Sequence, residues 1–445
     1  MSNGRPRRFR DVTDAYASGR DTPVDAAERA LAGAENDPAC AGVFIGLTAD
    51  RARREARASA ARWRAGLPLG PLDGVLVAVK DLVDVVGTVT TAGSALRRGA
   101  RPAASDATVT ARLSAAGAVL IGKTNLSEFA FSGLGLNPHY GTPENAVLPG
   151  AIPGGSSSGS AVAVALGVVS GAVGTDTSGS IRIPAAFNRV AGFRPSRARI
   201  SQTGVFPLAP NLDSVGPLAA CVQDLAHLDA VFRQGEAVTA AGPRPLCVPV
   251  AGLGVGMDAE VEAAFEATLA RLSDRGWSVT RRPFPSLETV AGLLAELGSL
   301  ATWEAAGVHR HLLEHPDQVA ALDPLVGSRL QSGADMPLDR VEALRMARPG
   351  LVRQFTDEVG DDLLLLPSVC CRVPTRADCA RSLAETMALN VRVLRNTMIL
   401  SFVDAPGVSL PMGEAGAPMG VLLSGGAGDD AQVLGTAFAL EAALA

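Results

Sequence analysis

Apolar residues recur at helical spacing through residues 12–65, among Ala, Arg and Glu, which predicts two or three amphipathic helices at the start of the chain. The period then changes. Residues 75–79 form a short apolar run after Leu72-Asp73-Gly74 and read as a strand; 107–116 reads as a helix and 118–121 as a buried strand. A loop of Gly, Ser and Pro covers 152–159, and a helix over 160–167 and a strand over 168–174 are expected after it. A second strand–helix rhythm begins near Pro245: strand 246–250, helix 258–273, strand 277–281, mostly helical stretches 285–315 and 338–357, strand 363–366, helix 381–400, strand 420–423 and helix 429–444. Strands alternating with helices predict an α/β fold, a sheet packed between helices. With no internal repeat or long linker, the expectation is one domain over 1–445, with 240–375 as a helical, variable subdomain within it.

Composition narrows the function classes. The 445 residues are 47% hydrophobic and 19% charged, well outside the disordered range. A net charge of −5 and a pI near 5.7 offer no electrostatic case for nucleic acid or an anionic membrane surface. The basic start (Arg5, Arg7, Arg8, Arg10) is not followed by an apolar run of signal-peptide length, and no run is long enough to span a bilayer; 162–173 is apolar but short and glycine-broken, as buried core is. Cys40, Cys221, Cys247, Cys370, Cys371 and Cys379 show neither CxxC spacing nor a disulfide framework, so reduced thiols and a cytoplasmic location are expected.

Three stretches carry candidate chemistry: Val77-Ala78-Val79-Lys80-Asp81, a lysine ending an apolar strand; Gly154-Gly155-Ser156-Ser157-Ser158-Gly159-Ser160; and Gly174-Thr175-Asp176-Thr177-Ser178-Gly179-Ser180-Ile181-Arg182. The second lacks the lysine of a phosphate-binding loop, and it lacks the strand–GxSxG–helix pattern of an α/β-hydrolase. Together the three resemble the signature of the amidase signature family. Further segments fit the same family: Gly122-Lys123-Thr124-Asn125, Ser127-Glu128-Phe129, Gly135-Leu136-Asn137-Pro138, Gly141-Thr142-Pro143-Glu144-Asn145, Ile183-Pro184-Ala185-Ala186, Gly192-Phe193-Arg194-Pro195, Asp213-Ser214-Val215-Gly216-Pro217, Pro406-Gly407-Val408-Ser409-Leu410-Pro411 and Pro418-Met419-Gly420. The resemblance covers nearly the whole chain and is weakest over 240–361.

The resemblance implies a large mixed central β-sheet covered by helices on both faces. It implies a Ser–cis-Ser–Lys triad that cleaves a small carboxylic or carbamoyl-type amide, releasing ammonia or an amine. The lysine falls on Lys80, the cis-serine on Ser156, with a cis Gly155–Ser156 bond, and the nucleophile on Ser180. The oxyanion hole falls on backbone N–H groups of Thr177, Ser178, Gly179 and Ser180. No cofactor or metal is implied. The expected partner is a small-molecule amide, with a homodimer as the conceivable assembly and no second catalytic domain.

Elementary chemistry agrees with those roles. A serine hydroxyl is a poor nucleophile until a base takes its proton, and no histidine lies in these stretches. A lysine with its ordinary pKa of about 10.4 is only ~0.04% neutral at pH 7. Keeping it neutral needs a shift of about 3 units, near 4–5 kcal/mol, from burial or nearby donors. The apolar lead-in of 75–79 supplies a burying environment, and Asp81, one residue on, should point to the opposite face. Two departures from the family pattern stand out: Ser178-Gly179 where the family has two glycines, and Cys370-Cys371 where it often has prolines.

Competing readings have weaker footing. His311-Leu312-Leu313-Glu314-His315 matches the H-x-x-E-H zinc pattern, with Glu385 as a conceivable third ligand, but Pro316 follows at once. Some relatives hydrolyse glutamine and pass ammonia to a transamidating partner. A pair of groups clamping a free amino acid would mark that role, and Arg194 with Asp404 is the candidate pair.

Overall fold

Strand β2 (Leu76–Lys80) is buried along its whole length, and its alternation sets the layers. Val77 and Val79 join one hydrophobic cluster with Val109 and Leu113, Leu225 and Leu228, and Val433 and Leu434, from helices Thr108–Ala115, Val222–Arg233 and Asp430–Leu444. Leu76 and Ala78 face a second cluster with Ala27 and Leu31, Ala52 and Ala56, and Val162 and Val164, from helices Pro23–Asn36, Ala49–Arg64 and Ser158–Ala165. A strand apolar on both faces is what a sheet covered on both sides requires.

The structure, a computed structural model, describes residues 5–413 and 417–445. The other strands are β1 (Phe44–Leu47), β3 (Val119–Thr124), β4 (Gly171–Asp176), β5 (Ala191–Arg194), β6 (Ser214–Ala219), β7 (Leu246–Pro249), β8 (Val279–Arg282), β9 (Leu363–Pro367), β10 (Gly407–Met412) and β11 (Met419–Ser424). Among the described residues they form one 11-stranded sheet, in the order β1-β3-β2-β4-β6-β5-β10-β11-β9-β7-β8. β2 runs parallel to β3 and β4, and β7 parallel to β8 and β9, while β4–β6, β5–β6, β5–β10, β10–β11 and β9–β11 are antiparallel. The sheet is therefore mixed, with helices on both faces. The segment between β6 and β10 adds β7, β8 and β9 to the same sheet. Its helices Pro285–Leu297, Leu300–Val308, Pro324–Ala334 and Leu338–Val359 share a core with Leu82, Leu126 and Phe129.

The periodicity reading misses β1, β5, β6 and β10. These are four to six residues long, and all four carry glycine or proline where β-branched residues would mark a strand. The helix expected from 160 starts at Ser158, and the strand expected over 168–174 is Gly171–Asp176. The helical stretch 285–315 is three helices: Gly298, with φ +93°, ends the first at Leu297, and the last is only Arg310–Leu313.

Candidate active site

Lys80 closes β2, and β4 runs beside it in parallel, with Val79 opposite Val173. That register puts Thr175 one residue beyond the level of the lysine. Lys80 Nζ lies 2.7 Å from Ser156 Oγ and 2.8 Å from Thr175 Oγ1, and both Lys80 and Ser156 are fully buried. Burial pushes the lysine pKa down from 10.5 to about 7, against the upward pull of the Asp176 and Asp213 carboxylates. A neutral amine can accept a proton from one hydroxyl while donating to the other. Asp81 does not hold Lys80 charged: it makes an ion pair with Lys123 at 2.6 Å and accepts from the Thr91 N–H.

The Gly154–Ser160 loop wraps over this lysine. The Gly155–Ser156 peptide is cis, as the sequence reading expects. Gly155 has no room for a side chain, since a Cβ would stand 2.5 Å from the Gly135 nitrogen. Its N–H donates to the Gly133 carbonyl (2.8 Å), and the Ser127 N–H donates to the Ser156 carbonyl (3.2 Å). One residue on, the Ser157 N–H donates to the Ser180 carbonyl at 3.1 Å, which joins the two serine-rich stretches. Helix Ser158–Ala165 then begins.

Ser180 is 4% exposed and follows a tight turn at the end of β4. Asp176 organises that turn: its carboxylate accepts from the N–H groups of Gly179 (2.6 Å) and Ile181 (3.1 Å) and from Arg182 Nε (3.0 Å) and Nη2 (2.9 Å). Burial alone would raise its pKa, but the Arg182 and Arg194 guanidinium groups and these N–H donors outweigh that and bring it to about 2. Gly179 has φ +133°, and a Cβ there would stand 2.1 Å from Thr397 Oγ1. Thr397 donates to the Ser178 carbonyl at 2.6 Å. The positive φ falls on Gly179 and not on Ser178, so the serine at the family's glycine position costs the turn nothing. Gly179 departs from the expected oxyanion set, because Asp176 already takes its N–H. Among the described residues the N–H groups of Thr177, Ser178 and Ser180 meet no protein acceptor.

Thr175, Asp176, Asp213 and Thr397 surround the site, and sequence reasoning gave none of them a role. Asp213 accepts from Thr177 Oγ1 at 2.5 Å and from the Leu208 and Ala209 N–H groups, and burial raises its pKa to about 6. The available signal was strand pairing: β4 and β6 are antiparallel with Asp176 opposite Ser214, which sets Asp213 beside Thr177. Arg194 and Asp404 do meet, at 3.2 Å, but Arg194 is fully buried behind Asp176 and also donates to the Ala405 carbonyl, so the pair is a structural brace and not an amino-acid clamp. The zinc pattern loses its geometric premise. The helix ends at Leu313, His315 has extended backbone beyond it, and both His311 and His315 are exposed. Among the described residues no group of three or more His, Cys, Asp or Glu side chains is arranged to hold a metal ion.

Sequence and structure comparisons place the chain in a family. The profile of the Amidase family matches residues 28–434. The chain is 35% identical over 412 residues to 2-amino-5-chloromuconic acid deaminase of Comamonas testosteroni, covering 88% of this chain and 86% of that one. It is 34% identical over 447 residues to a glutamyl-tRNA(Gln) amidotransferase subunit of Anaeromyxobacter sp. (strain K), covering 90% and 88%. A crystal structure of an amidase superposes with a TM-score of 0.87 at 33% identity, over 99% of this chain and 100% of that one. A profile match over most of the chain, with whole-length likeness in sequence and fold, means that the chain belongs to the amidase signature family of C–N hydrolases.

Proposed function

We propose that this amidase cleaves a small carboxylic or carbamoyl-type amide through a Ser180 acyl-enzyme, with Ser156 and Lys80 as its proton relay. The observation that carries the reading is the buried 2.7 Å contact between Lys80 Nζ and Ser156 Oγ, beside a lysine whose pKa is lowered to about 7. Ser180 gives its proton to Ser156 as its Oγ bonds to the carbonyl carbon, and the Ser156 proton passes to Lys80. The developing oxyanion is met by the N–H groups of Thr177, Ser178 and Ser180; one such donor typically lowers the barrier by about 3–4 kcal/mol. The C–N bond then breaks as the leaving nitrogen takes a proton back through Ser156, and water releases the acid by the same route. A Ser180→Ala variant should lose both ammonia release and labelling by a serine-directed phosphonate probe. Full labelling of that variant would move the nucleophile elsewhere.

Likeness over most of the chain to a glutamyl-tRNA(Gln) amidotransferase component favours one second reading, a glutamine-hydrolysing protein that hands ammonia to a partner. Ammonia release by the purified chain separates the two, with glutamine, aliphatic amides, aryl amides and carbamoyl acids compared. Turnover confined to glutamine and dependent on added cell extract supports the second reading. We read the chain as a single domain over 1–445, with 240–375 as a helical, variable subdomain within it, working in the cytoplasm without metal or cofactor, with a homodimer as the conceivable assembly. Among the described residues no helix is long and apolar enough to cross a membrane.

A further inference from the structure

Cys370 and Cys371 are adjacent in sequence, buried just beyond β9, and both are free thiols. A bend in the chain brings their side chains together, and the Cys371 thiol donates a hydrogen bond to the Cys370 sulfur. Asp258 pins the bend on both sides: its N–H donates to the Cys370 carbonyl at 2.9 Å, and its carboxylate accepts the Arg372 N–H at 2.9 Å.

The two sulfurs are not equivalent. The hydrogen bond from Cys371 outweighs burial and, with the Arg395 and Arg392 guanidinium charges, brings the Cys370 pKa down from 9.0 to about 6. Donating that bond, together with burial, pushes the Cys371 thiol up. As a neutral thiol Cys370 donates to the Arg392 carbonyl at 3.3 Å, but S–H is a weak donor and ionisation gives up little there. Cys370 is therefore mostly thiolate at pH 7, beside a neighbour that keeps its proton. The remaining cysteines differ: burial pushes the Cys40, Cys247 and Cys379 thiols up to about 11 and Cys221 up to about 12. The thiolate is the nucleophilic form of cysteine, and a second thiol in contact with it can resolve its oxidised form.

The pair lies one side chain below the surface. The exposed side chains of Arg372 and Arg392 border a recess of about 340 Å³. Such an approach suits an oxidant as small as hydrogen peroxide better than a bulky peptide disulfide. On its inner side Cys371 packs with Leu134, Ile152, Ile183 and Leu394. Leu134 follows Gly133, whose carbonyl accepts the Gly155 N–H at 2.8 Å and whose N–H donates to Asn390 Oδ1 at 2.8 Å. Ile183 lies against Gly154 and Gly179. The Cys371 side chain thus belongs to the packing behind both serine-rich stretches, and a close-packed interior transmits a shift of one member to the rest.

We propose that Cys370 and Cys371 form a hydroperoxide-responsive pair that closes a vicinal disulfide and thereby slows amide cleavage. The Cys370 thiolate attacks one peroxide oxygen, the O–O bond breaks and hydroxide leaves, so that Cys370 becomes a sulfenic acid. The Cys371 sulfur then bonds to the Cys370 sulfur, the S–O bond breaks, and the Cys371 proton leaves with that oxygen as water. The two cysteines lose two electrons and one peroxide is reduced to hydroxide and water. A dithiol reductant reverses the change by exchange. The disulfide itself is independent of which serine is the nucleophile; its effect on turnover acts through the packing behind Ser156 and Ser180.

The test treats the full chain with one equivalent of hydrogen peroxide, blocks the remaining thiols with iodoacetamide after denaturation, and maps the peptides by mass spectrometry. In wild type the peptide holding Cys370 and Cys371 should be unalkylated and lighter by two hydrogens before any other cysteine reacts. With dimedone, which traps sulfenic acids, Cys371→Ser should carry the adduct on Cys370, and Cys370→Ser should carry none on Cys371. Oxidised wild type should release ammonia from the best amide of the panel at least on the order of tenfold more slowly, since a small misplacement of reacting groups can cost about 100-fold. Dithiothreitol should restore the rate, and the double variant Cys370→Ser, Cys371→Ser should keep its rate through the same treatment. A pair that stays reduced while other cysteines oxidise overturns the proposal, as does a disulfide that leaves turnover unchanged. The wild-type map needs no variant, so poor folding of a serine variant cannot hide the outcome. Ammonia release that survives Ser180→Ala sinks the nucleophile assignment and leaves the disulfide result standing.

Discussion

Replacing Lys80 by methionine keeps an unbranched side chain in the interior and removes the group whose proton the fold must strip. Burial brings that pKa from 10.5 to about 7. Each unit is worth about 1.4 kcal/mol, so at pH 7 deprotonating the lysine costs folding about 4 kcal/mol. Methionine avoids this cost but leaves Ser156 and Thr175 without their shared Nζ partner, a loss of about 1–2 kcal/mol. Lys80→Met should therefore be at least as stable as wild type at pH 7, while amide hydrolysis falls about 10²–10⁴-fold with the loss of the base. Between pH 7 and 10.5 the unfolded chain still holds the lysine proton and the folded chain does not. The stability of wild type should then climb relative to Lys80→Met by about 1.4 kcal/mol per pH unit, and the climb should stop above pH 10.5. Urea unfolding of both proteins at pH 7, 8, 9 and 10 reads the difference directly. Parallel curves across that range would falsify the claim that the folded protein holds a neutral lysine.

The same group should set the acid limb of the pH–kcat/KM profile near pH 7. Asp213→Asn removes a carboxylate that favours the protonated lysine, so this limb should move to lower pH; a limb that stays put argues that Asp213 does not sense Lys80. Gly179→Ala must place a methyl group against Thr397 from a backbone angle that alanine rarely adopts, and thermal unfolding should show a loss of at least about 2–4 kcal/mol. Thr397→Val keeps the shape but drops the hydrogen bond to the Ser178 carbonyl. Stability should fall by about 1 kcal/mol and kcat by about tenfold at similar KM, and an unchanged kcat would show that the turn keeps its aim without that bond.

The residues that the structure brings together around Lys80 were legible because their signals are local. A lysine closing an apolar run, a paired glycine before serine, and a glycine before a second serine are each visible within about ten residues. Most of the sheet was legible for the same reason, wherever a strand is rich in Val, Ile or Leu, as in β2, β3 and β9. Strands such as Gly407–Met412 and Ser214–Ala219 hold their place through pairing with neighbours distant in sequence, so their own residues announce little. The roles of Thr175 and Asp213 were hidden for the same reason, since each depends on which strand lies beside β4. The Asp176 carboxylate shows a different limit. Its grip on the Gly179 N–H decides which backbone groups remain for an oxyanion, and only coordinates reveal that competition.

Lys80 ends β2, Ser180 follows β4, and those two strands are neighbours joined by a parallel ladder inside the sheet, third and fourth in its order of eleven. The backbone amides of that ladder are buried on both sides, where opening requires the largest cooperative unit of the protein to come apart. Loss of activity on heating should then track loss of the whole fold, with one midpoint for turnover and for far-ultraviolet ellipticity. Deuterium should reach the Val77–Val79 amides among the last in the molecule. An enzyme built this way should have no partly unfolded state that still works, so that its residual activity after stress counts the molecules that remain intact.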